Sequence, residues 1–157
     1  MSQLHVEAEA TTRASAAAVW SLICDATRYP EWGPWSAAGY RRPGDTSPRG
    51  PGAIQWLRSS RRAYLRHVTS VEQILRAEED QLLAYTVVGG IPVKNYQAEV
   101  TLTAADGGTR IRWAATCDPT LMGRLVMRGL RKFYPQMLAG LVAAAERPPA
   151  GDPGASA

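Results

Sequence analysis

The chain has few cysteines, few histidines and no long apolar run. Cys24 and Cys117 are too few for a disulfide framework, and together with His5 and His67 they show no metal-ligand spacing. No apolar run approaches the roughly 18–20 residues that a membrane-spanning helix requires. The first residues lack the basic and apolar regions of a secretory signal. We therefore expect a cytoplasmic protein with no metal, no cofactor and no membrane span.

The chain also lacks a clustered excess of charge. Its formal net charge is +4, and 20% of its 157 residues are charged. The basic residues, almost all arginine, are densest at 58–66 and 124–132, where no stacking aromatics alternate with them as they would on a nucleic-acid surface. We predict no nucleic-acid partner. The length and the 45% hydrophobic content fit one folded domain.

Hydrophobic periodicity predicts the order of the elements. Residues 4–11 alternate apolar and polar side chains, which indicates a half-buried strand. Ser15 is the expected N-cap of a helix over 16–24, followed by an aromatic turn at 29–35 and a loop rich in proline and glycine at 42–52. Further strands are predicted at 53–57, 64–75, 82–88, 96–103 and 109–118.

From residue 120 to residue 146 the period becomes helical. Apolar residues form one stripe, and Pro135 should kink or divide the helix. We expect an α+β fold in which a curved antiparallel sheet of six to seven strands wraps around this helix, with a cavity between them. Residues 1–146 form the single domain, and residues 147–157 are predicted to be a disordered tail.

Several local sequences resemble the START-like helix-grip superfamily and, within it, the bacterial polyketide cyclase/dehydrase-like (SRPBCC) proteins. The resemblance covers roughly residues 4–146. It lies in the segments 18–22, 29–35, 52–54, 71–74, 82–85, 89–96 and 108–113, together with Asp25.

This resemblance implies a fold more strongly than a function, because the superfamily includes aromatase/cyclases, lipid-transfer domains, plant hormone receptors and chaperone activators. The segment 89–96 is similar to the second gating loop of plant abscisic acid receptors. That similarity implies that Glu72, Tyr85, Tyr96 and Trp113 face the cavity.

Glu72 is the first candidate for chemistry. If it faces inward, period two also turns Tyr64, Arg66 and Ser70 toward the same wall. A partly desolvated carboxylate has a raised pKa and suits general acid/base chemistry, unless a paired Arg66 lowers that pKa. Three alternatives remain open at this stage: a contact of Glu72 with a bound ligand without catalysis, an ion pair between Glu72 and Arg66, or a position of both in solvent at the rim.

The predicted catalytic set is therefore Glu72, Tyr64, Arg66 and Tyr96, with Arg66 or Tyr96 stabilising an oxyanion. His67 faces away by period two, although a bulge before Glu72 would turn it inward. The predicted substrate-binding residues are mostly large rings that would suit a flat, conjugated ligand: Trp32, Trp35, Trp56, Ser70, Tyr85, Val87, Trp113, Phe133 and Met137.

The first functional prediction is a cofactor-free cyclase, dehydratase or isomerase of secondary metabolism. It would act on a hydrophobic, polyketide-like or aromatic small molecule, and the protein would be a monomer or homodimer. The alternative is a non-catalytic carrier or sensor for a lipid or secondary metabolite that uses the same cavity. A third reading, a protein-interaction module, has no apolar surface identifiable in the sequence to support it.

Overall fold

The computed structural model describes residues 2–63 and 66–148, without the side chains of 61–63. The elements in chain order are β1 (Leu4–Thr12), α1 (Ala16–Ile23), a short 3-10 helix (Ala26–Glu31), β2 (Trp35–Arg42), β3 (Ile54–Ala63), β4 (Arg66–Glu78), β5 (Leu82–Gly89), β6 (Gln97–Ala105), β7 (Gly108–Cys117) and α2 (Leu121–Ala145).

The seven strands form one antiparallel sheet in the order β1-β7-β6-β5-β4-β3-β2. The two edge strands, β1 and β2, are consecutive in the chain, and α1 with the 3-10 helix makes the connection between them. The sheet curves around α2. This arrangement confirms the predicted α+β helix-grip fold.

Polar caps fix where the helices begin. The Ser15 hydroxyl accepts a hydrogen bond from the Ala18 N–H (3.1 Å), and the Thr120 hydroxyl accepts one from the Gly123 N–H (2.9 Å). The Asp25 carboxylate accepts from the Thr27 N–H (3.0 Å) and forms an ion pair with Arg49 (2.9 Å). Each cap supplies an acceptor to an N–H group that has no partner within its helix.

The long helix α2 buries one face against the sheet. Met127, Tyr134, Met137, Leu138 and Leu141 are at most 2% exposed. The helix runs unbroken through Pro135, which lies on its exposed side, so the predicted division is not found. No helix among the described residues is both long enough and apolar enough to span a bilayer.

The β2 region differs from the prediction. The sequence predicts no strand between the aromatic turn at 29–35 and the loop at 42–52, but Trp35–Arg42 form β2, and β3 extends past the predicted end at residue 57 to Ala63. Register shifts at both ends of β2 break its period of two, and its centre is made of small residues, so the strand pattern is weak in the sequence. Residues 149–157, most of the predicted disordered tail, lie outside the described residues.

Candidate ligand-binding cavity

A cavity of about 350 Å³ lies between the concave face of the sheet and α2. This volume is within the range of small-molecule sites, which begins near roughly 300 Å³. Its lining is almost entirely apolar or aromatic and comes from the 3-10 helix, the first residue of β2, strands β3, β4, β5 and β7, the connection between β5 and β6, and α2. The lining residues are Tyr29, Trp35, Leu57, Ser59, Val68, Ser70, Glu72, Tyr85, Val87, Ile91, Tyr96, Trp113, Val126, Gly129, Leu130, Phe133, Tyr134 and Met137.

Glu72 is the acidic residue of this lining, and two neutral side chains hold its carboxylate. Gln55 lies directly opposite Glu72 in the β3–β4 pairing. Its Nε2 donates to Glu72 Oε2 (2.9 Å), and the Ser70 hydroxyl donates to Glu72 Oε1 (3.0 Å). The three side chains are buried, so the carboxylate is fixed in orientation by partners that carry no charge.

Burial raises the pKa of Glu72 from its ordinary value of 4.5 to about 7, although the hydrogen bonds from Gln55 and Ser70 act to lower it. Desolvation disfavours the ionised form, whereas hydrogen-bond donors stabilise it. Both protonation states of this carboxyl are therefore populated near neutral pH. Such a group can both accept and return a proton.

The predicted partner Arg66 does not reach this carboxylate. Arg66 is exposed at the first position of β4 and does not line the cavity. Among the described side chains, which leave out residues 61–65, Glu72 forms no ion pair. Arg66 therefore contributes nothing to the lining, which β4 enters only from Val68 onward.

His67 also stays outside the cavity. Its Nδ1 lies 2.7 Å from the Ser59 carbonyl oxygen on the neighbouring strand. His67 is not among the residues that line the cavity. The β3–β4 pairing is unshifted from Thr69 to Gln73, and its register shift lies between Thr69 and His67.

Phenol groups form a second polar cluster in the lining of the cavity. The Tyr96 and Tyr134 hydroxyls lie 3.1 Å apart, and Trp113 Nε1 donates to the Tyr85 hydroxyl (3.0 Å). Hydrogen bonding with Tyr85 also lowers the pKa of both Tyr96 and Tyr134, against the larger effect of burial. The three hydroxyls therefore form one connected group, which we call the phenol cluster.

The phenols remain protonated hydrogen-bond donors in this environment. Burial is the main cause that raises the pKa of Tyr85, Tyr96 and Tyr134, and the charge of Glu72 raises each of them further. Glu72 and the three phenols line the same cavity. A ligand bound there would meet both an acid/base group and O–H donors.

Aromatic rings complete the walls. Trp35 and Phe133 meet edge to face with centroids 5.8 Å apart, and Trp113 lies 6.3 Å from Tyr134 and 6.4 Å from Tyr85. Flat faces and polarised edges of this kind accommodate conjugated ligands.

Most of the predicted substrate-binding residues line the cavity, but Trp32 and Trp56 do not. Trp32 is buried behind the lining, where its Nε1 donates to the Leu22 carbonyl (3.1 Å). Trp56 lies on the outer face of the sheet, where Gly39 leaves room for its ring. Among the predicted catalytic residues, Glu72 and Tyr96 line the cavity, and Tyr64 lies outside the described residues.

Sequence reasoning missed three polar residues of the site: Gln55, Tyr29 and Tyr134. Tyr134 lies one turn from both Leu130 and Leu138 on the same helix face, so helical spacing could have identified it. Gln55 alternates with Ala53 and Leu57 on the buried face of β3, where a lone amide signals a buried polar partner. The Tyr29 hydroxyl, by contrast, donates to the Ile23 carbonyl (2.9 Å), a contact that depends on the path of the 3-10 helix.

Comparison with known proteins identifies one family and several solved structures that share this fold. The model of a family described as polyketide cyclase/dehydrase and lipid transport matches residues 3–146. The Zhui aromatase/cyclase from Streptomyces sp. R1128 superposes with a TM-score of 0.75 at 16% identity, over 93% of this chain and 95% of that one. A protein from Thermobifida fusca superposes with a TM-score of 0.70 at 22% identity, over 90% and 92% of the two chains. A third neighbour, XoxI from Bacillus cereus, has a TM-score of 0.70 at 16% identity, over 89% and 94%. No curated protein gives a significant sequence match.

Proposed function

The chain belongs to the polyketide cyclase/dehydrase and lipid transport family, and from that premise we propose that it binds a largely apolar, polyketide-like or aromatic molecule and converts it by proton transfer at Glu72. The observation that carries the proposal is the buried carboxyl of Glu72, held by Gln55 and Ser70 in an otherwise apolar cavity. A structural role alone gives no reason to bury this charge, since an apolar side chain would fill the same space at lower cost.

The proposed reaction is an intramolecular aldol cyclisation followed by loss of water. Ionised Glu72 removes a C–H proton next to a ligand carbonyl, and the Tyr96 hydroxyl stabilises the enolate oxygen that forms. The enolate carbon then forms a C–C bond with a second carbonyl carbon of the same molecule. The resulting alkoxide takes up the proton from Glu72, and elimination of that hydroxyl with a neighbouring hydrogen releases water and leaves a double bond.

The cavity would contribute by folding the ligand. Rings from Trp35, Trp113 and Phe133 close around a space of about 350 Å³, so an extended chain has to bend to enter it. Holding two reacting carbons together removes much of the entropic cost of ring closure. The acid/base groups come from the chain itself, so the proposal requires no cofactor. We place it in cytoplasmic secondary metabolism, in a monomer or homodimer.

A carrier is the second candidate, because the family description includes lipid transport and the cavity is mostly apolar. A carrier would bind its ligand through the same lining residues but would catalyse no reaction, so Glu72 would transfer no proton. Affinity would then depend more on Trp113 and Tyr96 than on the carboxylate.

The test is turnover of a synthetic poly-β-ketoacyl thioester, followed by mass spectrometry of cyclised and dehydrated products. Glu72→Gln keeps the shape and can still hydrogen-bond with both Gln55 and Ser70, but it cannot transfer a proton. We expect turnover to fall by about 10²–10⁴-fold with little change in ligand affinity. Glu99→Gln is the matched control, because Glu99 is exposed on β6. Equal turnover in wild type and Glu72→Gln would remove Glu72 from the mechanism, and no turnover in the wild type would favour the carrier.

The pH profile gives a second measure. If Glu72 acts first as a base, turnover should rise with pH through about 7, where its carboxyl ionises. Ser70→Ala removes one of the two donors that stabilise the ionised form, so the midpoint should move to higher pH. A midpoint unchanged in Ser70→Ala would show that another group controls the profile.

A further inference from the structure

The first three turns of α2 expose large apolar side chains beside an uncompensated positive charge. Leu121 is 75% exposed, Leu125 50% and Met122 44%. Four exposed cations occupy the same turns. We call this set the α2 basic surface, formed by Leu121, Met122, Leu125, Arg124, Arg128, Arg131 and Lys132.

The apolar part of this surface is continuous with the cavity lining. At 100° per residue, Leu121, Leu125 and Met122 share one arc of α2, and Val126, Phe133 and Leu130 occupy the next arc. The second arc lines the cavity. Gly129 lies within the first arc, next to Met122, and is itself both exposed and part of the lining. The apolar stripe therefore runs from the cavity past its opening into solvent.

All the charged side chains of the α2 basic surface are positive. From residue 121 to residue 145, α2 contains four cations and no acidic residue. None of these cations forms an ion pair within the described part of the chain. A partner that covers this surface must therefore supply negative charge as well as an apolar medium.

These requirements exclude two partners and favour a third. A second copy docked through the same surface would bring eight cations together without a counter-charge. Nucleic acid would supply phosphates, but the α2 basic surface presents aliphatic side chains and methionine instead of stacking rings. The interface of an anionic bilayer accepts both the convex apolar arc and the flanking cations.

We propose that the α2 basic surface docks the protein on anionic membranes, with the cavity opening against the bilayer. Leu121, Met122 and Leu125 enter the headgroup region, while the arginines and Lys132 contact lipid phosphates. An apolar ligand could then pass between bilayer and cavity without crossing water. This inference goes beyond the proposed chemistry, and its test does not depend on Glu72 or on turnover.

The experiment is flotation of the full chain with two kinds of vesicle, phosphatidylcholine alone and phosphatidylcholine with one third phosphatidylglycerol. We expect binding only to the vesicles that contain phosphatidylglycerol. It should weaken strongly between about 0.1 M and about 0.5 M NaCl, because the Debye length falls over that range.

Two pairs of double variants separate the components. Leu121→Gln/Leu125→Gln and Arg124→Gln/Arg128→Gln should each weaken binding by about tenfold or more. The matched controls are Leu75→Gln/Val88→Gln, exposed apolar side chains elsewhere, and Arg41→Gln/Arg110→Gln, exposed arginines elsewhere; both should bind like the wild type. All of these side chains are exposed, and circular dichroism checks that each variant is folded.

Three results would overturn the proposal. The first is an absence of binding to either kind of vesicle. If the protein were then retained on immobilised polyglutamate, the partner of this surface would be an acidic protein and not a membrane. The second is unchanged vesicle binding in Leu121→Gln/Leu125→Gln, which would show that the protein binds lipid headgroups by charge alone and inserts no apolar side chain. The third is an equal loss of vesicle binding in the control variants, which would show that the α2 basic surface is not the membrane-binding site.

Discussion

The two halves of the sheet are built differently. In the half β1-β7-β6-β5, strands pair residue for residue with no register shift. The pairings β2–β3, β3–β4 and β4–β5 all contain shifts, and one of them falls between Val71 and Glu72. We call these the regular half and the bulged half. A bulge changes the direction of the side chains around it, so the bulged half can place groups that a regular ladder would not.

The halves also contribute different chemistry to the cavity. The regular half, with α2, supplies the phenol cluster, whose hydroxyls hydrogen-bond with one another and with Trp113 Nε1. The bulged half supplies Glu72, a carboxyl buried with two neutral donors. The regular half should therefore carry most of the packing free energy, and the bulged half should carry a group whose ionisation opposes folding. Three changes test this difference.

The largest effect is expected from a ring deletion in the regular half. Trp113 is 2% exposed and contacts the rings of Trp32, Tyr85 and Tyr134. Trp113→Ala should lower the free energy of unfolding by about 3–5 kcal/mol through lost burial and the cavity left behind. The matched control is Trp56→Ala on the outer face of the bulged half, which should cost roughly 1 kcal/mol because that ring is only half-buried. Urea unfolding measures both, and equal losses would contradict the proposed division of packing energy.

The next effect concerns Glu72 and has a sign that depends on pH. The carboxyl has a pKa of about 7 when folded and an ordinary value of 4.5. Between these values the folded state keeps a proton that the unfolded state releases, so rising pH destabilises the fold. Above pH 7 the loss is complete and amounts to about 3 kcal/mol. Glu72→Gln does not titrate, so its stability relative to wild type should grow by that amount from pH 4.5 to pH 8.

Chemical denaturation at a series of pH values measures this difference. Glu99→Gln serves as the control, because its exposed carboxylate should give a nearly flat difference. If the difference between Glu72→Gln and wild type did not change with pH, the Glu72 carboxyl would not be desolvated in the folded protein.

The same contrast explains which parts of the structure the sequence could predict. In β1, β6 and β7 the alternation of side chains survives in the fold, because an unshifted ladder preserves period two along each strand. Trp113 on β7 consequently lines the cavity, and Tyr85 and Tyr96, whose facing the family resemblance implies, line it too. The Ser15 N-cap was also readable, because it depends on a single local hydrogen bond.

Predictions failed where long-range pairing overrides the local pattern. β2 contains small residues between two register shifts, so no period marks it as a strand. Trp56 faces outward because Gly39 on the neighbouring strand accommodates its ring, a contact that the sequence of β3 alone does not contain. The placement of Gln55 opposite Glu72 likewise depends on the β3–β4 register.

The smallest effect compares single hydroxyl deletions in the two halves. Tyr134→Phe removes the contact with Tyr96, but the Tyr96 hydroxyl retains its hydrogen bonding with Tyr85. Tyr40→Phe, in the bulged half, removes the acceptor of the Ala26 N–H (2.9 Å) and leaves a buried donor unpaired. We expect losses of about 0.5–1 kcal/mol for Tyr134→Phe and about 1–3 kcal/mol for Tyr40→Phe. Thermal unfolding of the two variants measures the difference. A larger loss in Tyr134→Phe would mean that the phenol hydroxyls do not substitute for one another, and that the regular half depends on each of its hydrogen bonds separately.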